Sequence, residues 1–477
     1  MRNPAAERAQ KAWFGFVLGV LAALPALIYL RGFTVDDALI PARYAANVAH
    51  GSGYRFNAGG PCTDGVTPLG FPYLFAAFAD QGPLAALRAA RVVGALAWLF
   101  AAGTLGAAIA RLGGSPVRYA ALLLVLFSAP LGAWAWSGLE TGLVVALSTA
   151  IAVVPVRSSK APLAGAALGL CAWLRPEMIA FSLWLGAGRV RTAESRRGKW
   201  LTASLVVAPW LAAAAARWIV WGRPAPLAVF AKPSDITHGA MYVLPAILFT
   251  GAPLAALGPL AWSKLPGWPR TLVVGAFLHL AVLVLAGGDW MPLARLVCPI
   301  LPPLVLATAH ILSSRSSAWV TAIRLSIGCV AEMVVFAMRG PAAAHVLRDR
   351  LALIDAAAPV LAGARAVATI DVGWVESATS AEIVDLAGAT DPEIAALPGG
   401  HTSKAVSGAF LAARGPDRLV FQIDERSAED AITFTRATEA RLFADPLVAR
   451  TYVVIWRSPA VLPVRYIVLS PSPITPP

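Results

Sequence analysis

The sequence predicts a polytopic α-helical membrane protein, with about eleven transmembrane helices and a small C-terminal α/β domain. Three observations carry that prediction. Of the 477 residues, 58% are hydrophobic and 14% charged, with a mean hydropathy of +0.68. That leaves too little polar surface to cover a soluble domain of this length. Charge is also divided along the chain. Residues 1–339 hold 27 Lys and Arg against 11 Asp and Glu, a balance of +16, and residues 340–477 hold 12 against 15, a balance of −3. Finally, of the early acids only Glu7 and Glu194 share a side with the basic loops. Asp36, Asp37, Asp64, Asp80, Glu140, Glu177, Asp235 and Asp289 gather on the other side, and Glu332 lies within the last span.

Apolar spans run at 13–30, 90–110, 118–134, 138–155, 162–174, 177–188, 200–221, 241–261, 271–287, 294–312 and 318–338. The segments RLGGSPVR, VRSSK, RVRTAESRRGK, WSKLPGWPR and SSRSS carry the excess of Lys and Arg. The positive-inside rule places them, and the N-terminus, in the cytoplasm. Segments 31–89, 135–137, 175–176, 222–240 and 288–293, and everything after Arg339, then lie outside. MRNPAAERAQK before an apolar run has the layout of a signal peptide, but no A-x-A site follows, so it reads as a retained first helix. Spans 162–174 and 177–188 are each shorter than the roughly 20 residues that cross a bilayer. Merging them would reverse every later loop against the charge rule, so two short helices meeting at Leu174-Arg175-Pro176-Glu177 are expected. A turn below the interface is tolerable where it lines a polar cavity.

After Arg339, AVATIDVGWV, AEIVDLAG, DRLVFQI, RTYVVIW and RYIVLS read as short strands. DPEIAAL and AEDAITFTRATEARLF between them read as helical or turn segments. The expected division is a membrane catalytic domain at 1–340, with an external loop at 31–89, and an external α/β domain at 341–477.

Several function classes drop out. The basic residues sit in short loops between apolar spans and form no aromatic-interleaved face, so no nucleic-acid partner is expected. Cys62, Cys171, Cys298 and Cys329 are scattered and form neither a disulfide framework nor a metal spacing. His50, His238 and His401 show no spacing for a metal centre. A divalent cation, Mg or Mn, taking oxygen ligands is compatible with the chain but not demanded by it. A glycolipid transporter or flippase stays as the less favoured alternative: it should show internal repeats and midplane charges, whereas no repeat is found and the carboxylates cluster at one interface.

The loop TVDDALIPARYAANVAHGSGYRFNAGG follows the first span. Residues 35–50 read as a helix with Thr34 as N-cap and Gly51 at its end. Helix capping accounts for one acid in a first turn. It does not account for Asp36 and Asp37 together with Asp64 in PCTDGVTPLG and Asp289 in GGDWMPLAR. Transfer of a sugar from a lipid phosphate needs a base for the acceptor hydroxyl, which a carboxylate suits. It also needs cations for the leaving phosphate, and Arg suits a bidentate grip.

The same residues resemble a known family. TVDDALIPARYAANVAHGSGYRFNAGG with TDGVTPLGFPYL is similar to the first external loop of GT-C membrane glycosyltransferases, most of all the mycobacterial terminal β-(1→2)-arabinofuranosyltransferase family. AWAWSGLETGL, WLRPEM, WGRPAPLAVFAKP, GGDWMPLARLVCPILP, and IDVGW with IVDLAGATDPEIA follow in order, so the resemblance covers most of the chain. It implies an inverting enzyme of the bacterial inner membrane that uses a polyprenyl-phosphate sugar donor at the periplasmic face and a glycan or glycoprotein acceptor. The sugar is arabinofuranose by closest resemblance, or another such as mannose. The first Asp of the pair is usually the general base in the family, which maps to Asp36 with Asp37 as partner. Asp64 stands where relatives commonly carry Glu, and the external domain is short, departures that bear on the acceptor more than on the reaction class.

Arg175, Lys232 and Arg295 are assigned to the donor phosphate. Arg43, Tyr44, Asp64, Glu140, Glu177, Asp289 and Trp290 are assigned to substrate. Glu140 sits beside Trp134 and Trp136, which are either interface anchors or a platform for sugar or lipid. Arg175 with Glu177, and Asp289 with Arg295, either pair with each other or line the cavity. Asp371 and Asp385 read as turn or strand-end residues, and Glu332 receives no role.

Overall fold

A computed structural model of the chain describes residues 4–112, 116–154, 160–232, 235–250, 262–263, 265–312, 318–427 and 431–472. The second half of the span expected at 241–261 lies outside these residues, as do most of VRSSK, all of SSRSS and parts of RLGGSPVR, WSKLPGWPR and AEDAITFTRATEARLF. The chain divides into two compact units. One comprises Met1–Thr34, Ala90–Ala215 and Ser234–His345; the other comprises Val35–Ala89, Ala216–Pro233 and Val346–Pro477. The loop after the first apolar helix therefore belongs to the same unit as the C-terminal residues.

Five helices are long and apolar enough to cross a membrane: Pro4–Tyr29, Pro83–Arg111, Arg196–Trp221, Gly267–Ala286 and Arg295–Leu312. A sixth is added if Val117–Leu126 and Ala129–Trp136, which meet at 54°, count as one span. The chain is a multi-pass membrane protein. The described residues hold five or six such helices where the sequence suggests eleven spans, because several expected spans are short or broken. Thr141–Val153, Ala161–Leu174 and Ile236–Ile247 are apolar but fall below that length. The break at 127–128 arises where Ser128 takes an extended backbone and Pro130, in the first turn, restarts the helix.

Packing in the first unit uses small residues where water supplies no driving force between helices. Gly15 and Gly19 lie one turn apart, and a Cβ on either would strike the backbone at Gly106 or Ala102 of the neighbouring helix. Two short helices, Ala161–Leu174 and Ile179–Thr192, do meet at Arg175, with the turn Pro176–Met178 between them.

In the second unit, five strands form one mixed sheet. They are β1 (Ala366–Thr369), β2 (Glu382–Asp385), β3 (Arg418–Ile423), β4 (Tyr452–Arg457) and β5 (Arg465–Pro471), in the order β2-β1-β3-β5-β4. β1 is parallel to β2 and β3, with Val367 opposite Ile383 and Arg418, while β5 is antiparallel to β3 and β4. Ala368, Val384, Leu419, Phe421, Ile467 and Leu469 form the core. Two expectations are corrected. Residues 35–50 are not one helix capped by Thr34: a 3-10 turn spans Asp36–Ala38 and the α-helix runs Leu39–Ala49. Thr34 Oγ1 instead donates to the Ser137 carbonyl at 2.9 Å. In AVATIDVGWV the strand ends at Thr369, and Val372–Ala378 turns into a helix.

Candidate functional site

The adjacent acids open the second unit. The 3-10 turn leaves the Asp36 side chain clear of its own helix, and its carboxylate caps a different one. Oδ2 accepts from the Gly373 backbone N–H and Oδ1 from that of Trp374, both at 2.9 Å, at the start of Val372–Ala378. A negative charge there satisfies donors that the first turn of a helix leaves unpaired. Gly373 is required, because a Cβ would overlap the Asp36 carbonyl. Arg350, on the helix Val346–Leu361, lies 3.6 Å from Asp36 Oδ1.

Asp371, just after β1, receives a bidentate grip from Arg436 at 2.8 and 2.9 Å and the Tyr466 hydroxyl at 2.6 Å. The environments of the two acids push them apart. Burial raises the Asp36 carboxyl to about 6, with Asp371 and Asp37 adding to the rise and Arg350 and the Gly373 amide opposing it. Burial also pushes Asp371 upward, but Arg436, Arg350 and Tyr466 outweigh it and hold the carboxyl below its usual range. Asp37 differs from both: it is half-buried, and no group among the described residues hydrogen-bonds or ion-pairs its carboxylate.

Arg43, Tyr44 and Asp64 are engaged in the scaffold of this unit. Arg43 donates to the Phe56 carbonyl at 3.2 Å and pairs with Glu376 at 3.2 Å. Burial raises Glu376 to about 8 against the pull of Arg43. The Tyr44 hydroxyl lies 2.6 Å from Thr63 Oγ1 and accepts the Gly65 N–H at 3.1 Å, closing the 62–67 loop. Asp64, fully buried, receives Arg217 Nε at 2.7 Å, and Arg217 also donates to the Thr67 carbonyl at 2.6 Å. Lys232 follows the short helix Leu227–Ala231, half-buried and with no ion-pair partner among the described residues.

The first unit holds the other candidates in two linked clusters. Arg175 Nε pairs with Glu140 at 2.5 Å and its Nη1 with Glu177 at 3.3 Å, while Nη2 is buried without a hydrogen-bond partner among the described residues. Asp289 pairs with Arg295 at 2.8 Å, and the Arg295 guanidinium stands 5.5 Å from the centre of the Trp134 ring. His279 ties the clusters together, with Nδ1 3.1 Å from the Glu177 carbonyl and Nε2 2.7 Å from that of Leu296. Leu293 and Ala294 both carry positive φ, 56° and 48°, a conformation that costs energy in non-glycine residues. Trp134 Nε1 holds this bend by donating to the Leu293 carbonyl at 3.0 Å. Beside it is a cavity of about 260 Å³ lined by His238, Tyr242, Asp289 and Ala294 among others. Trp290 is exposed and stacks on His238 at 3.9 Å. Ion pairing within Arg175–Glu177 and Asp289–Arg295, weighed against cavity lining from the sequence, is thus present, and Asp289 also lines a cavity.

The sequence reading missed Arg350, Tyr466, Arg436, His279 and Tyr242. IDVGW was visible as a motif, and the amides of its Gly373 and Trp374 bind the Asp36 carboxylate. Nothing in the spacing marks Arg350 or Tyr466, which approach Asp36 and Asp371 from more than 300 and 90 residues away in the chain. Among the described residues, no group of three or more His, Cys, Asp or Glu is placed to hold a metal ion.

No family model matches the chain, and no curated protein does. Among solved structures, the cryo-EM structure of arabinofuranosyltransferase AftD from mycobacteria aligns with 99% of this chain at 16% identity and a TM-score of 0.42. The match covers 40% of that protein, so the chain spans less than half its length.

Proposed function

We propose that the chain is a GT-C-type, inverting membrane glycosyltransferase acting at the periplasmic face of a bacterial inner membrane. Its donor is a polyprenyl-phosphate sugar, arabinofuranose by the sequence resemblance, and its acceptor is a glycan or glycoprotein. The observation that carries this reading is Asp36. A general base must be held in a fixed orientation and have a proton affinity near the working pH. Two backbone N–H groups fix the Asp36 carboxylate, and burial raises its pKa to about 6.

In the proposed step Asp36 takes the acceptor hydroxyl proton as the acceptor oxygen bonds to the anomeric carbon. The bond from that carbon to the phosphate oxygen breaks, and its electron pair leaves with polyprenyl phosphate. Asp37, whose carboxylate is open, is suited to a second hydroxyl of the incoming sugar. Among the cations, Lys232 lies in the same unit as Asp36 and has no ion-pair partner among the described residues, which supports its phosphate assignment made from sequence.

The test is release of polyprenyl phosphate from polyprenyl-phosphoryl-arabinofuranose by purified protein given an arabinan oligosaccharide, beside Asp36→Asn. Turnover by wild type with loss of more than about a hundredfold in the variant, the scale of general-base catalysis, supports the reading. Full activity of Asp36→Asn removes it.

A further inference from the structure

We infer that Arg350, 3.6 Å from the Asp36 carboxylate, is the positioning residue for Asp36, so that the C-terminal residues complete the base rather than forming a separate accessory domain. This rests on the reading of Asp36 as the base. Both Asp36 oxygens are turned onto the amides of Gly373 and Trp374, which fixes the plane of the carboxylate. Arg350 approaches Oδ1 at 3.6 Å, close enough for strong charge coupling and too long for a tight bidentate pair. That spacing leaves Asp36 able to gain and lose a proton, where the bidentate grip on Asp371 keeps that acid ionised.

Arg350 does not stand alone. The Tyr466 hydroxyl donates to Asp371 Oδ2 at 2.6 Å, and Asp371 is a second charge acting on Asp36. Tyr466 is packed edge-on against Trp374, at 4.9 Å between ring centres and 63° between planes. The residue that offers its amide to Asp36 therefore also packs against the residue that bonds Asp371.

The charged and titratable groups acting on Asp36 come from every neighbouring element. They are Asp37 on its own turn, Arg350 on Val346–Leu361, Asp371 after β1, Glu376 on Val372–Ala378 and Tyr466 on β5. Arg350 is the cation among them, and Asp371 is the acid that stays ionised through Arg436. The two act on Asp36 with opposite sign, which makes the inference testable by direction.

The experiment is the pH profile of kcat/KM for polyprenyl phosphate release, read at its acid limb. Arg350→Gln removes the neighbouring cation and should move the limb to higher pH by about 1 unit, the lower end of the effect of an opposite charge this close. Asp371→Asn should move it to lower pH, and Arg350→Lys should bring the limb back toward wild type. A purely architectural role would lower rates evenly across pH and leave the limb in place. If Arg350→Gln does not fold, the downward shift in Asp371→Asn decides the matter alone. A limb that disappears in Asp36→Asn but is unmoved by Arg350→Gln and Asp371→Asn overturns the positioning role while sparing the base. A limb that survives in Asp36→Asn overturns both.

Discussion

Replacing Asp36 by Asn removes both the proposed base and the cap of the Val372–Ala378 helix. The native carboxylate offers an acceptor oxygen to each of two backbone N–H groups at 2.9 Å and faces Arg350 at 3.6 Å. Asn keeps one oxygen, so its amide nitrogen must face the second N–H, donor against donor. A hydrogen bond to a charged group contributes about 1.5–3 kcal/mol. With one such bond lost and the other weakened, Asp36→Asn should destabilise the Val372–Ala378 helix by about 2–4 kcal/mol, little screened because the side chain is 13% exposed.

Amide hydrogen exchange over peptides spanning 372–378 reads this directly. Each ~1.4 kcal/mol is tenfold, so protection should fall by about 30- to 1,000-fold. Asp37→Asn, with no bond to lose, should change exchange by less than about threefold, or about 0.5 kcal/mol. Gly373→Ala should loosen the same helix, because its Cβ overlaps the Asp36 carbonyl. Unchanged exchange in both Asp36→Asn and Gly373→Ala would refute the assignment of Asp36 as the cap of this helix. Loss of turnover in Asp36→Asn is therefore to be compared with Gly373→Ala, which perturbs the helix and keeps the carboxylate.

Other outcomes follow from the same geometry. Glu376 holds its proton up to about pH 8 in the folded state and releases it near 4.5 when unfolded, so its burial costs stability increasingly as pH rises between those values. Glu376→Gln should flatten the fall in thermal stability between pH 5 and about 8, and identical slopes in variant and wild type would count against it. The buried Asp64–Arg217 pair should cost about 3–5 kcal/mol when Asp64→Asn strands the guanidinium, and the double change Asp64→Leu with Arg217→Met should recover most of that loss in thermal unfolding. His279→Ala removes the imidazole that sits between the Glu177 and Leu296 carbonyls and should cost about 2 kcal/mol. It should also weaken binding of the polyprenyl-phosphate donor measured by calorimetry; unaltered affinity would dissociate the two clusters from the donor.

Much of this protein is set by local pattern, and pattern is what a sequence carries. Apolar runs, basic loops and the Leu174–Glu177 break are properties of consecutive residues, so the membrane class and the two short helices meeting at Arg175 were legible. Strand propensity in VFQI, YVVIW and YIVL likewise marked β3, β4 and β5. The pattern failed where a distant group outweighs a local one. Thr34 has the side chain of an N-cap, yet its hydroxyl donates to the Ser137 carbonyl, and Asp36 caps a helix more than 330 residues away. IDVGW alternates like a strand, but β1 stops at Thr369 and a helix begins at Val372, its free amides facing Asp36.

Likewise, residue type together with the family resemblance nominated Asp36, Asp37, Arg175 and Arg295 as chemically apt. Which of them are caged and which are open depends on burial and on partners drawn from remote segments. Asp64 lies fully buried on Arg217, Asp37 stays open, and Asp36 is poised between two amides and Arg350. Those outcomes are set by desolvation and by charges a few ångströms away in space, neither of which has a signature in linear spacing.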